Sequence, residues 1–220
     1  MKDGEIVKKA MMGGCKPMPK NNATLQYYND NAKEFCTNTR DAALTDIQDK
    51  FLGFLRSGDK ILDLGCGAGR DTKYFLQQGF DVEAVDGSEE LCKLAAEYTG
   101  IAVNQMLFQD LSCKNIYNGV WACASILHLT YDELKDMLLK VTRALKAGGV
   151  FYMSFKYGEN EGFRNGRYFT DMTEDKIRRL YRNIDTLSIK EMWITTDVRP
   201  GRGQEKWLNV ISIKNSRNQK

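Results

Sequence analysis

The chain has 220 residues, 42% of them hydrophobic, and a formal net charge of +3 from 32 basic and 29 acidic residues. That size fits one domain with a sizeable core, and so small a charge surplus excludes a global field that would by itself argue for nucleic acid. Six cysteines without a CxxC pair, beside a single histidine, fit neither zinc ligation nor a disulfide framework, so no metal is expected.

In chain order, residues 1–22 read as an N-terminal extension or lid. Their lysines precede no long apolar run, and no run elsewhere reaches membrane-span length, so a soluble protein of the reducing cytoplasm is expected. Residues 23–215 read as one domain and 216–220 as a frayed tail. Two helical stretches come first, over Leu25 to Cys36 and Ala42 to Leu55, the second with Leu44, Ile47, Phe51 and Leu55 at helical spacing. KILDLG is a buried strand, RDTKYFLQQG a helix stopped by Gly79, and FDVEAVDG a second strand. SEELCKLAAEYTG is a helix with Ser88 as its N-cap signal and Gly100 as its stop, followed by the strand IAVNQMLFQD. YNGVWACASIL is a fourth strand, YDELKDMLLKVTRALKAGG a long amphipathic helix ending at Gly148–Gly149, and VFYMSFK a fifth strand. KYGENEGFRNGRYFT reads as a long loop, functional or else merely solvated, and a helix follows near Glu174 to Tyr181. TLSIKEMWITT and KWLNVISIK then form a closing hairpin around DVRPGRGQE. Alternating strands and helices predict an α/β, doubly wound, mostly parallel sheet covered on both faces.

The stretch from Ile61 to Asp71, ILDLGCGAGRD, turns a strand into a helix through Gly65, Gly67 and Gly69. Glycines there let the backbone approach a ligand, and the helix beyond offers free N–H groups. A dinucleotide fingerprint needs glycine at position 70, which is Arg70. Asp63, ahead of the turn, would repel a pyrophosphate and suit an ammonium group, or else bond to nearby backbone. Asp86, at the end of the second strand, is placed to accept from both ribose hydroxyls. Asp110, after the third strand, is placed to meet an adenine amino group or to cap the following turn. Three acids around a glycine turn describe a pocket for a nucleoside with a zwitterionic tail, and S-adenosylmethionine is such a molecule.

With these motifs, residues 59 to 156 resemble class I S-adenosylmethionine-dependent methyltransferases: ILDLGCGAG, the acid in VEAVDGS, the acid in LFQDL and the segment VWACASILHL. GCGAGRD is similar to the small tellurite and thiopurine group, and the tail is similar to uncharacterised bacterial methyltransferases. The resemblance implies a seven-stranded, Rossmann-like sheet with the final strand antiparallel. It also implies S-adenosylmethionine as cofactor, S-adenosylhomocysteine as product, Gly65 and Gly67 under the methionine moiety, Asp86 on the ribose and Asp110 near the adenine. Tyr28, Asp63, Cys66, Arg70, Gly87, Ser88, Leu111 and Ala124 complete the expected cofactor set. Tyr27 and Tyr28 resemble an N-terminal aromatic lid, or else pack. Where many relatives carry an acid at the start of the fourth strand, this chain has Asn118–Gly119.

Methyl transfer is an in-line displacement, so alignment supplies much of the acceleration and a base is optional. His128, just past the fourth strand, is the candidate base or acceptor orienter, or else packs the start of the next helix. In the loop after the fifth strand, Tyr157, Glu161, Arg167 and Tyr168 are candidates to close over the acceptor; Arg167 suits a carboxylate or phosphate. His128, Arg167 and Tyr168 form the expected catalytic set, with Arg199 and Arg202 approaching the same mouth. The expected reaction is methyl transfer to an O, N or S atom of a small molecule. The alternatives are an RNA (tRNA) acceptor tracked by Lys156, Arg164, Arg167, Arg199 and Arg202, and a non-catalytic S-adenosylmethionine-binding protein.

Overall fold

The computed structural model describes residues 20–216. Three helices open it, α1 (Lys20–Asp30), α2 (Ala32–Thr39) and α3 (Thr45–Leu52), and then β1 (Lys60–Leu64), α4 (Arg70–Gln77), β2 (Asp81–Asp86), α5 (Glu89–Thr99) and β3 (Val103–Gln105) alternate. β4 (Tyr117–Ala122), α6 (Tyr131–Ala144) and β5 (Leu145–Lys156) continue that rhythm. After them come β6 (Glu161–Arg164), β7 (Arg167–Thr170), α7 (Glu174–Tyr181), β8 (Leu187–Thr196) and β9 (Lys206–Lys214). The expected extension lies outside the described residues up to position 19, and 20–22 open α1. The tail beyond 216 lies outside them as well.

Seven strands form one sheet in the order β3-β2-β1-β4-β5-β9-β8. β1 to β5 pair in parallel, and β9 is inserted antiparallel to both β5 and β8. This is the expected doubly wound sheet with an antiparallel final strand. Strand periodicity divides the core between the two faces. Leu62 and Leu64 of β1 pack with Leu134, Leu138 and Val141 of α6, whereas Ile61 packs with Phe51 of α3 and Phe75 of α4. Asp63 shares the face of Ile61.

Local chemistry sets the element ends. Ser88 caps α5 by accepting from the Leu91 N–H, and Gly100 closes that helix at φ 82°. Thr130 and Glu133 form a reciprocal capping box at the start of α6.

Four expectations need correction. α6 stops at Ala144 rather than Gly149, because Leu145 pairs with Tyr117 as the first residue of β5. Gly148, at φ 73°, takes a left-handed position inside the strand that a glycine adopts without strain. The expected single helix from Leu25 to Cys36 breaks at Asn31, whose φ of −114° and ψ of 17° separate α1 from α2. The third strand ends at Gln105, and residues 108–110 form a single 3-10 turn. The expected loop after β5 is instead a two-stranded hairpin, β6–β7, closed by Asn165 and Gly166 at φ 49° and 77°. Asn-Gly is the pair that a two-residue hairpin turn of this hand favours, and the signal stood in FRNGRYF unread.

Candidate active site

β1 ends in a turn that only glycines fit. Gly65 sits at φ 82°, and a Cβ there would fall 2.5 Å from the Ser125 Cβ. Gly69, at φ 79°, lets α4 close onto α5, where a Cβ would meet Thr99 at 2.8 Å and Ala95 at 3.2 Å. The turn is pinned from behind as the N–H groups of Gly65 and Cys66 both donate to the Val85 carbonyl at 2.9 Å.

Across from it, the Asp86 carboxylate accepts from the Gly67 N–H through Oδ2 and from the Ser88 N–H through Oδ1, each at 2.9 Å. Burial raises its pKa, and these backbone donors oppose that rise. Gly65, Cys66, Gly67, Arg70, Asp86, Gly87 and Ala124 all line one cavity of about 410 Å³ at the carboxyl ends of the parallel strands. Ala124 is held there at φ 49°, its N–H donating to the Ser154 hydroxyl at 2.9 Å.

Tyr28 lines the cavity as well, whereas Asp63, Ser88, Asp110 and Leu111 stand off its wall. Asp63, which belongs to the opposite face of β1 from Leu64, is buried behind the turn and accepts from the Thr72 hydroxyl at 2.6 Å. Burial and the neighbouring Asp71 carboxylate push its pKa up to about 8. Asp71 itself binds Arg70, Gln48 and the Trp121 Nε1–H at 2.7 to 2.9 Å. Against burial, the Arg70 charge and these hydrogen bonds hold the Asp71 carboxyl below the usual range. Ser88 is fully buried as a helix cap, and Leu111 is packed in the core. Asp110 is exposed at the end of its 3-10 turn; Met106, Leu107, Phe108 and Gln109 line the cavity in its place.

Helix α1 and the β6–β7 hairpin roof the cavity. Here Tyr28, His128 and Arg167 come together. The Tyr168 carbonyl lies 2.6 Å from His128 Nδ1, which must therefore carry the proton. That leaves Nε2 as the acceptor from the Tyr28 hydroxyl at 2.8 Å. Burial, and secondarily the Arg167 charge, lower the His128 pKa to about 4, against the Tyr168 hydrogen bond, which raises it. Burial raises that of Tyr28, against the Arg167 charge. Only the backbone of Tyr168 meets the site, because its phenol donates to Glu161 at 2.7 Å.

Sequence reasoning missed the far wall. Tyr152 and Ser154 of β5, Thr195 and Thr196 of β8, and Trp207 and Asn209 of β9 continue the same cavity beside Lys156, which was expected only as an RNA contact. Their strand partners were legible, but alternation alone does not say which strand end opens on a pocket. Arg199 and Arg202 reach it as expected. Tyr157 and Glu161 are not on its wall.

Residues 61–149 match a family model described as a methyltransferase domain. An uncharacterized methyltransferase of Geobacillus thermodenitrificans (strain NG80-2) is 25% identical over 158 residues, covering 67% of this chain and 71% of that one. A ubiquinone biosynthesis O-methyltransferase of Rickettsia canadensis (strain McKiel) is 27% identical over 100 residues, 43% of this chain and 42% of that one. In fold, the chain is similar to the 1,6-didemethyltoxoflavin-N1-methyltransferase of Burkholderia thailandensis, solved with 1,6-didemethyltoxoflavin and S-adenosylhomocysteine. The TM-score is 0.73, at 21% identity and 89% coverage of each chain. This domain and these relatives support a class I S-adenosylmethionine-dependent methyltransferase. Among the described residues no helix is long and apolar enough to cross a membrane.

Proposed function

We propose that this chain, as one domain over residues 23–215 and in a reducing cytoplasm, methylates an O, N or S atom of a small-molecule acceptor. The observation that carries the reading is one roofed cavity, about 410 Å³, running from Asp86 and the glycine turn to Tyr28, His128, Arg167 and Trp207. That volume lies within the roughly 300–1,000 Å³ of small-molecule sites.

When bound, S-adenosylmethionine supplies a methyl group activated by its sulfonium. Asp86 keeps lone pairs free for ribose hydroxyls after taking its two backbone donors. The backbone at Gly65, Cys66 and Gly67 receives the methionine moiety, and Met106 to Gln109 form the wall for the adenine. Asp63 acts from behind, holding α4 to β1 through Thr72. The roof formed by α1 and the hairpin excludes water and aligns the acceptor for in-line displacement. His128 fixes the Tyr28 hydroxyl. An acidic acceptor proton passes to the Tyr28 oxygen as the phenolic proton moves to His128 Nε2, and a neutral imidazole is available for this above about pH 4.

An RNA acceptor has less support. Lys156 pairs with Glu205, Arg164 with Asp171 and Arg199 with Asp197, so these cations are engaged rather than free to track phosphates. The test is transfer of labelled methyl from S-adenosylmethionine into a cell extract fractionated by size, with and without ribonuclease. Label in small solutes supports this reading; ribonuclease-sensitive label in large RNA overturns it.

A further inference from the structure

The roof of the cavity carries one cation that the rest of the wall leaves unneutralised. Arg70, Lys156, Arg164 and Arg199 each pair with a carboxylate, and Arg202 shares Glu205 with Lys156. Among the described residues Arg167 pairs with none. Its guanidinium carbon lies 4.4 Å from the Tyr27 ring centroid, 5.6 Å from that of Tyr28 and 5.1 Å from that of Phe169, so three aromatic rings surround the fork. The Arg167 Nε is buried with no hydrogen-bond partner among the described residues. The one side-chain contact of its Nη1 is a long one, 3.4 Å to the Tyr28 hydroxyl. A guanidinium without a carboxylate partner favours an anionic oxygen pair on the cavity side.

We propose that the acceptor is a carboxylic acid, held by the Arg167 guanidinium beside the Tyr28–His128 pair. This rests on the small-acceptor reading above. One free guanidinium matches one negative charge, whereas a phosphate monoester, with nearly two, would call for a second unpaired cation. The aromatic rings of Tyr28 and Phe169 in the roof and of Trp207 on the far wall of the same cavity suit an apolar body behind the acid. Arg167 is thereby a specificity-determining residue: it sets which end of the acceptor faces the roof, and so which atom faces the methyl donor.

The test uses benzoate and its neutral counterpart benzamide as probes on the protein saturated with S-adenosylhomocysteine, read by saturation-transfer NMR. Calorimetry of S-adenosylhomocysteine runs alongside, on the unmodified chain and on Arg167→Met. We expect benzoate but not benzamide to bind, and Arg167→Met to abolish benzoate binding while the S-adenosylhomocysteine affinity stays within about twofold. Benzamide binding as well as benzoate, or benzoate binding that is absent from the start or survives Arg167→Met, overturns the proposal. So does a loss of about tenfold or more in S-adenosylhomocysteine affinity in Arg167→Met, which assigns the guanidinium to the cofactor's own carboxylate. An unmodified chain that fails to bind S-adenosylhomocysteine counts instead against the donor site, so the two failures are told apart.

Discussion

His128 is held on both sides: its Nδ1–H by the Tyr168 carbonyl and its Nε2 by the Tyr28 hydroxyl. Its depressed pKa of about 4 means that the proton-accepting form persists well below neutrality. The acid limb of turnover should therefore fall near pH 4 rather than near the ordinary imidazole value. His128→Gln should lose that limb and roughly 10²-fold in turnover at saturating donor, with S-adenosylhomocysteine binding retained. Full turnover across pH in that variant would make His128 a packing residue. Asp63 gives the second prediction. Its folded pKa, near 8, lies above the ordinary carboxyl value, so between about pH 4 and 8 the folded chain keeps a proton that the unfolded chain releases. Stability from this site is therefore present at low pH and lost as pH rises through that window. Asp63→Asn, whose amide oxygen still accepts from Thr72, should flatten the decline measured by denaturant unfolding; parallel slopes in the two proteins would show that Asp63 does not titrate there.

At the scale of elements, the β6–β7 hairpin does the most that composition did not announce. It delivers the Tyr168 carbonyl to His128 and the Arg167 guanidinium to the cavity, and its turn touches α1: a Cβ on Gly166 would lie 3.1 Å from the Tyr27 ring. Gly166→Ala puts a side chain at φ 77° and crowds that ring. It should cost about 1–2 kcal/mol in denaturant unfolding, measured with the donor absent. An unchanged midpoint would mean that the hairpin adds nothing to the stability of the roof. The β1–α4 turn was legible because its glycines at positive φ leave a residue-type signature, whereas the place of Asp63 behind it was not. The hairpin was not read, because its segment is polar and its one strong cue is the two-residue Asn165–Gly166 turn. The boundary between α6 and β5 was misplaced for a different reason: helix propensity through Leu145 and Lys146 was overridden by pairing of Leu145 with Tyr117.

In the whole molecule, strand order decides which candidate residues share a site. The parallel ladder from β3 to β5 brings Asp86, the glycine turn and Ala124 to one edge, as the sequence pattern implied. The same geometry removes two of the three acids expected there. Asp63 falls on the wrong parity of β1, and Asp110 follows a strand that is too short to point it inward. A residue can sit within one position of a pocket in sequence and on the other side of the sheet in space, which spacing alone does not resolve. What remains is one continuous cavity, in which the proposed function puts a donor end anchored by the single carboxylate of Asp86 and an acceptor end beneath α1 and the hairpin.

That anchor is the most direct point of test: the affinity for S-adenosylhomocysteine of the unmodified chain and of Asp86→Ala, by calorimetry at neutral pH. Two charge-assisted hydrogen bonds to ribose hydroxyls, at about 1.5–3 kcal/mol each, predict a loss of roughly 10²-fold or more in Asp86→Ala. An unchanged affinity would contradict the account by removing Asp86, and with it the glycine-turn end of the cavity, from the donor site.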